Sequence, residues 1–333
     1  MTHLLSLKDL TVAVPGTARP LLDSVTLTVA EGEVVGLVGE SGSGKSTTAK
    51  AALGLLPSDA TATGTVEVAG RDVLALRGEE LRAHRADIVA MIHQDPRAAL
   101  NPVRRIGDFL TERGATKDGA AELLAAVGLT EPARRLRQRP HELSGGMLQR
   151  VVIAGALAAR PRLLLADEAT SALDVTTQAE ILTQLREVRR AQGAGLLFIT
   201  HDLHLAAAYC DRVYVMYAGR IAEHRTAKAL FTTPAHPYTR GLLACSPTLG
   251  DDRPLHPIPG KPPSLAESFA GCPFVSRCGE AEDECHTWTP EAYALEDDGE
   301  AACRTAVGRR SARRNGWAQP PAQSTLKEGT SPK

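Results

Sequence analysis

Two hydrophobic rhythms run along this chain. Near its start, Leu7, Leu10 and Val12, then Val25, Leu27 and Val29, alternate with polar residues, which predicts antiparallel strands with one wet face. Farther on, unbroken apolar runs sit beside longer segments of helical spacing: 34–38 before 45–55, 147–159 before 163–166, and then 196–200. Short continuous apolar runs between helices predict an α/β protein whose largely parallel sheet is covered on both faces. Pro57 and Pro161 are placed to stop the helices before them, because proline cannot continue the backbone hydrogen bonds. Residues 213–216, a turn at Ala218-Gly219, and Ile221-Ala222 predict a late hairpin. The longest apolar stretch, 151–159, contains Gly155 and is half the length of a spanning helix, so no membrane crossing is expected.

After about residue 232 the rhythm is lost. Eight prolines between Pro234 and Pro263 predict a segment without regular structure, four cysteines follow between 272 and 303, and a basic tail without periodicity is expected to be disordered from about Ser311. The periodic part and this extension are therefore expected to fold separately.

Composition narrows the class. A chain of 333 residues, 43% hydrophobic, has room for one large domain or two unequal ones. With 38 basic and 39 acidic residues it has no electrostatic case for being a dedicated nucleic-acid binder. Lys8 and Asp9 interrupt Leu4, Leu5 and Leu7 too early for a secretory segment, so a cytosolic address and reduced thiols are expected. No Phe, Trp or Tyr precedes Phe109.

The chemistry is concentrated at the ends of the apolar runs. Gly39-Glu40-Ser41-Gly42-Ser43-Gly44-Lys45-Ser46-Thr47 follows one run and opens a helix, the context of a phosphate-binding loop. Its glycines let backbone N–H groups approach phosphate oxygens, with Lys45 reaching the β- and γ-phosphates and Ser46 ligating Mg²⁺. Run 163–166 ends in Asp167-Glu168; one acid would hold Mg²⁺ and the other would orient and deprotonate an attacking water. Run 196–200 is followed by His201, which lands on the same rim and would hold the γ-phosphate, or would simply cap a helix. Ser144-Gly145-Gly146 opens another helix and forms a second anion-seeking turn.

The order of these motifs, with Gln94 in Ile92-His93-Gln94-Asp95, Leu143 to Gln149, and Ser171-Ala172-Leu173-Asp174, closely resembles the ATP-binding subunit of ABC transporters. The resemblance covers about 4–232 and implies an ABC-type P-loop ATPase core over 1–232, with an antiparallel β subdomain and a helical subdomain at about 95–160. It implies ATP and Mg²⁺ bound by Gly39, Ser41, Gly42, Gly44, Lys45, Ser46, Thr47 and Asp167, with Gln94 also near the metal and Glu168, His201 and Gln94 as catalytic residues. Ser144, Gly145, Gly146 and Asp174 would act on nucleotide held by a second ATPase subunit, a paralogue more than a copy. Two membrane permeases and, indirectly, an extracytoplasmic solute-binding protein complete the implied assembly, peripheral on the cytoplasmic face. The family stacks adenine on an aromatic ring near position 14, where this chain has Val14.

Residues 231–243, with His236-Pro237-Tyr238, are similar to the extension of the oligopeptide/dipeptide importer branch, continuing over about 233–310. That branch implies import of di- and oligopeptides; import of nickel or another small solute, or a soluble ATPase without transport, are the alternatives. Cys272, Cys278, Cys285 and Cys303 lack the two- to four-residue gap usual for structural zinc. The resemblance favours a [4Fe-4S] cluster on these four thiolates, with Zn²⁺ or free, packing cysteines as alternatives. Cys210 and Cys245 are expected to be packing residues.

Overall fold

The computed structural model describes residues 3–169, 175–246, 257–295 and 299–306. Among the described residues, twelve strands form two sheets. The first is antiparallel, in the order β2 (Leu22–Ala30), β1 (His3–Ala13), β4 (Thr61–Val68), β5 (Arg71–Asp72). The second runs β11 (Tyr293–Ala294), β12 (Glu300–Ala301), β10 (Arg220–Thr226), β9 (Arg212–Tyr217), β3 (Val34–Val38), β8 (Gly195–Ile199), β7 (Leu163–Asp167), β6 (Val89–Ile92). From β9 to β6 all neighbours are parallel.

The unbroken apolar runs follow from this position. In β3, Val35 and Leu37 join the core under the antiparallel sheet, while Val34 and Val38 join the core on the helical side. Leu197 and Ile199 oppose Leu196 and Phe198 in the same way, as do Leu163 and Leu165 against Leu164 and Ala166. A strand covered on both faces needs apolar residues at every position. The alternating strand β1 is buried chiefly at the positions that pack on the second core.

The helix after β3 spans Lys45–Ala52 and stops before Pro57. Gly54 ends it: at φ +64° it turns the chain so that its N–H reaches Ala51 O at 2.9 Å and Leu55 N–H reaches Lys50 O at 2.8 Å. Helix Gly145–Ala158 ends as expected ahead of Pro161, through Arg160 in the left-handed region. Between Gln94 and this helix lie the short helices Ile106–Glu112, Lys117–Ala126 and Pro132–Arg135.

The extension departs from the sequence expectation in two ways. Its proline-rich start holds a regular helix, Pro237–Ala244, because Pro237 occupies the first helical position, where a missing N–H is harmless, and no proline follows until Pro247. Nor does it fold apart: β12 pairs with β10, matching Glu223 to Ala301 and His224 to Glu300, so the extension finishes the main sheet. Among the described residues no helix is long and apolar enough to cross a membrane. The expected tail from Ser311 lies outside the described residues.

Candidate nucleotide site

Adjacent strands β3, β8, β7 and β6 deliver their carboxyl ends to one rim. Val38 leads into the glycine loop, Ile199 precedes His201 by two residues, Asp167 ends β7, and Ile92 precedes Gln94 by two. Ligands bind at such a rim in α/β sheets because loops there are free to vary while the strands fix their roots.

The loop is pressed against its support. A Cβ on Gly39, at φ +150°, would lie 2.2 Å from the carbonyl oxygen of Met216, and one on Gly44, at φ +110°, 2.8 Å from Leu22 Cδ2. Both positions require glycine. Lys45, buried at 6% exposure, donates from Nζ to the carbonyls of Gly39 at 2.8 Å and Glu40 at 2.9 Å. Burial lowers its pKa, opposed by the charges of Glu168, Asp167 and Glu40. Ser41, Gly42 and Ser43 line a groove of about 310 Å³ whose other wall is Tyr217, Ala218 and residues 261–263. Thr47 is half-buried in the first turn of the helix.

The acids sit beside it. Ser46 Oγ donates to Asp167 Oδ1 at 3.1 Å, which sets two hard oxygen donors together, as Mg²⁺ requires. Gln94 Nε2 donates to Glu168 Oε2 at 3.0 Å, and His201 Nδ1 lies 3.6 Å from Glu168 Oε1. Glu168 adopts φ +47°, a left-handed conformation that a non-glycine residue holds only when its surroundings impose it; its N–H is fixed to Ile199 O at 3.0 Å. Strain and hydrogen bonds together aim one carboxylate between Gln94 and His201.

Ser144, Gly145 and Gly146 are built differently. Ser144 Oγ accepts from Met147 N–H at 3.4 Å and caps helix Gly145–Ala158, with open space around Gly145. Gln149 Nε2 donates to His93 O at 3.5 Å, tying this helix to the neighbour of Gln94. Asp174, with residues 171–173, lies outside the described residues.

Cys272, Cys278, Cys285 and Cys303 line one small cavity of about 20 Å³, and Cys272 N–H donates to Cys285 O at 2.9 Å. Burial pushes the Cys272 thiol up to about 11 and raises that of Cys278. Thiolates here need a cationic partner. The donor set fits a thiolate-held group, but among the described residues no three His, Cys, Asp or Glu side chains gather around one point to hold a single metal ion. Cys210 packs in the core, as expected.

Sequence reasoning missed the groups that join these two places. Glu40, within the loop, is held by Arg277 and Tyr238 of the extension. An acid inside a phosphate loop calls for a nearby cation; nothing in the spacing names one more than two hundred residues away. At the hairpin after Val14, Ala18 N–H donates to Leu265 O at 2.9 Å and Arg19 stacks 5.7 Å over Phe269, so an aromatic reaches that region from the extension.

Comparison with known proteins agrees with this layout. The ABC transporter family profile matches residues 22–171, and that of the oligopeptide/dipeptide transporter C-terminal region matches residues 222–285. Oligopeptide transport ATP-binding protein OppD of Mycobacterium tuberculosis is 44% identical over 317 residues; the match covers 91% of this chain, which spans about half, 52%, of that relative's length. OppD of Salmonella typhimurium is 44% identical over 304 residues, covering 87% of this chain and 91% of its own. Dipeptide transport ATP-binding protein DppD of Bacillus subtilis is 42% identical over 292 residues, covering 84% and 87%. Among solved structures, the dimeric ATP-binding cassette MJ0796 in its post-hydrolysis state with ADP and Pi aligns with TM-score 0.59 and 30% identity, covering 67% of this chain and 98% of its own. With a relative matched at this identity across nine-tenths of its length, and both family profiles in order, the chain belongs to the ATP-binding subunits of ABC transporters, in the oligopeptide/dipeptide branch.

Proposed function

We propose that this chain binds and hydrolyses ATP to power an importer of di- and oligopeptides. The observation that carries it is the rim itself: Lys45, Ser46, Asp167, Glu168, Gln94 and His201 at the ends of four neighbouring strands. The loop amides and Lys45 hold the β- and γ-phosphates of ATP, and Ser46 and Asp167 hold Mg²⁺, with Gln94 beside it. Mg²⁺ supplies neutralisation of the phosphate charge. Glu168 accepts a proton from the water whose oxygen bonds to the γ-phosphorus as the bond to the ADP oxygen breaks, giving ADP and phosphate. Gln94 and His201 hold that carboxylate in place, and His201 reaches the γ-phosphate.

Ser144, Gly145 and Gly146, with Asp174, serve nucleotide on a second ATPase subunit, a paralogue more than a copy. The helices over 95–160 receive a permease on the cytoplasmic face of the membrane, and two permeases and a solute-binding protein complete the importer; nucleic acid has no part in it. The branch relatives, named for oligopeptide and dipeptide transport, support the cargo. Cys272, Cys278, Cys285 and Cys303, which line one cavity, would hold a [4Fe-4S] cluster through their thiolates.

Two measurements test this. Cells deleted for the chain should lose uptake of labelled peptides and regain it with the wild-type chain but not with Glu168→Gln. The chain should also co-purify with two membrane permeases. Normal peptide uptake in the deletion, with loss of another solute, would move the cargo and leave the ATPase in place.

A further inference from the structure

Glu40 stands inside the segment that must receive a polyanion. Its carboxylate is gripped from the extension: Arg277 Nη1 and Nη2 donate to Glu40 Oε2 and Oε1 at 2.7 and 2.9 Å, a two-pronged geometry among the strongest ionic hydrogen bonds. The Arg277 side chain is 4% exposed. Its Nη1 also reaches the Tyr217 hydroxyl at 3.2 Å, and its Nε donates to Pro259 O at 2.7 Å. The guanidinium lies 5.8 Å from the Tyr217 ring and 5.9 Å from the Phe274 ring. A second hold comes from Tyr238, whose hydroxyl accepts the Glu40 N–H at 2.9 Å. Arg277 thus sits in the cysteine segment, beside Cys278, yet directs its two-pronged bond at the phosphate loop.

An unpaired Glu40 would act against nucleotide twice. It would repel incoming phosphates, and it would attract Lys45, on which its charge already acts. We propose that Arg277 is a positioning residue for nucleotide: by neutralising Glu40 with a guanidinium that is itself seated on Tyr217 and Phe274, the extension keeps the phosphate loop open to the phosphates. The proposal rests on this loop being the nucleotide site, and it gives the extension a direct hold on that site.

The test is the affinity of the full chain for MgADP, which is not turned over, by calorimetric titration. Arg277→Met should raise Kd about tenfold at low ionic strength, and by less as salt screens the freed carboxylate. The double variant Glu40→Gln/Arg277→Met should recover to within about threefold of wild type, since the repelling charge is gone. Arg277→Lys, which keeps the charge without the fork, should fall between, and it serves also if Arg277→Met fails to fold. Arg240→Gln breaks the extension's 2.7 Å pair with Glu280 away from the loop and should leave Kd unchanged. Unchanged affinity in Arg277→Met, a double variant as weak as the single, or an equal loss in Arg240→Gln would each overturn it. A wild-type chain that binds no MgADP would instead refute the nucleotide site itself.

Discussion

The strand-end rim and the extension both gather ionisable groups, and they treat them in opposite ways. On the rim, polar side chains bond to one another in partial contact with solvent: Gln94 to Glu168, Ser46 to Asp167, and His201, 63% exposed, beside Glu168. Where the extension meets the sheet, ionisable groups are buried and bonded to backbone: Glu223 of β10 accepts the N–H groups of Ala235 and His236 at 2.8 and 2.9 Å, and His236 Nδ1 accepts that of Tyr238 at 3.0 Å. Partly exposed side-chain pairs are readily exchanged for a ligand, while a buried group that loses its backbone partner with nothing to replace it costs about 1–3 kcal/mol. Substitutions on the rim should therefore alter rate at constant stability, and those in the extension should alter stability first.

The largest expected effect is on the rim. Glu168→Gln keeps the shape and the partnership with Gln94 but cannot take a proton from water. Loss of one positioned group costs roughly 10²–10³ or more in turnover, while ATP binding through Lys45 and the loop should remain. Turnover in a single-cycle assay and nucleotide affinity by titration should separate. Wild-type turnover would remove Glu168 from its role, and an equal loss of thermal stability would erase the contrast between the regions.

The extension should answer differently. Protein purified without oxygen should be brown and contain iron and sulfide, and changing any one of Cys272, Cys278, Cys285 or Cys303 to Ser should remove most of the iron, since four thiolates leave no spare ligand. Melting temperature should fall as well, because β12, just before Cys303, pairs into the main sheet. Colourless protein with stoichiometric zinc would replace the cluster by Zn²⁺; protein with neither would make the four cysteines packing residues.

The same contrast governs what could be read from sequence. Lys45, Ser46, Asp167 and His201 were legible because each stands at a fixed offset from an apolar strand, and parallel strands bring their ends together without further information. Gln94 is legible only through the resemblance, since β6 is a four-residue strand with no phosphate motif after it. The grip of Arg277 on Glu40 was not legible: it joins positions 237 residues apart through tertiary packing, which leaves no local period. Helix Pro237–Ala244 hides behind the proline count of its segment, because what matters is position: Pro237 stands at the first helical residue.

A smaller effect belongs to His236. Burial, helped by the charge of Arg240, lowers its pKa to about 3, so the folded chain holds it neutral where an unfolded chain would protonate it. Between about pH 6.5 and 3 the unfolded state binds more protons, so stability falls with acidity, by up to about 1.4 kcal/mol per pH unit. His236→Asn, which can still cap Tyr238 N–H but does not titrate, should lose less melting temperature than wild type between pH 7 and 5. Parallel loss in both proteins would assign acid sensitivity to other groups.

The least effect is expected at the hairpin after Val14, a second place that the extension touches. Phe269 comes to that hairpin from the extension, but the Arg19 guanidinium already lies over its ring, and Arg19 is itself held by the carbonyls of Ser264 at 3.2 Å and Pro263 at 3.0 Å. A base would have to displace a cation that is fixed by hydrogen bonds. Without stacking, worth roughly 1–3 kcal/mol per base at nucleic-acid sites, affinity rests on phosphates and Mg²⁺, which ATP and GTP share. Their dissociation constants should differ by less than about tenfold. A larger preference that disappears in Phe269→Ala would make the extension the reader of the base and give it a part in binding; a larger preference that survives Phe269→Ala would place the reader elsewhere.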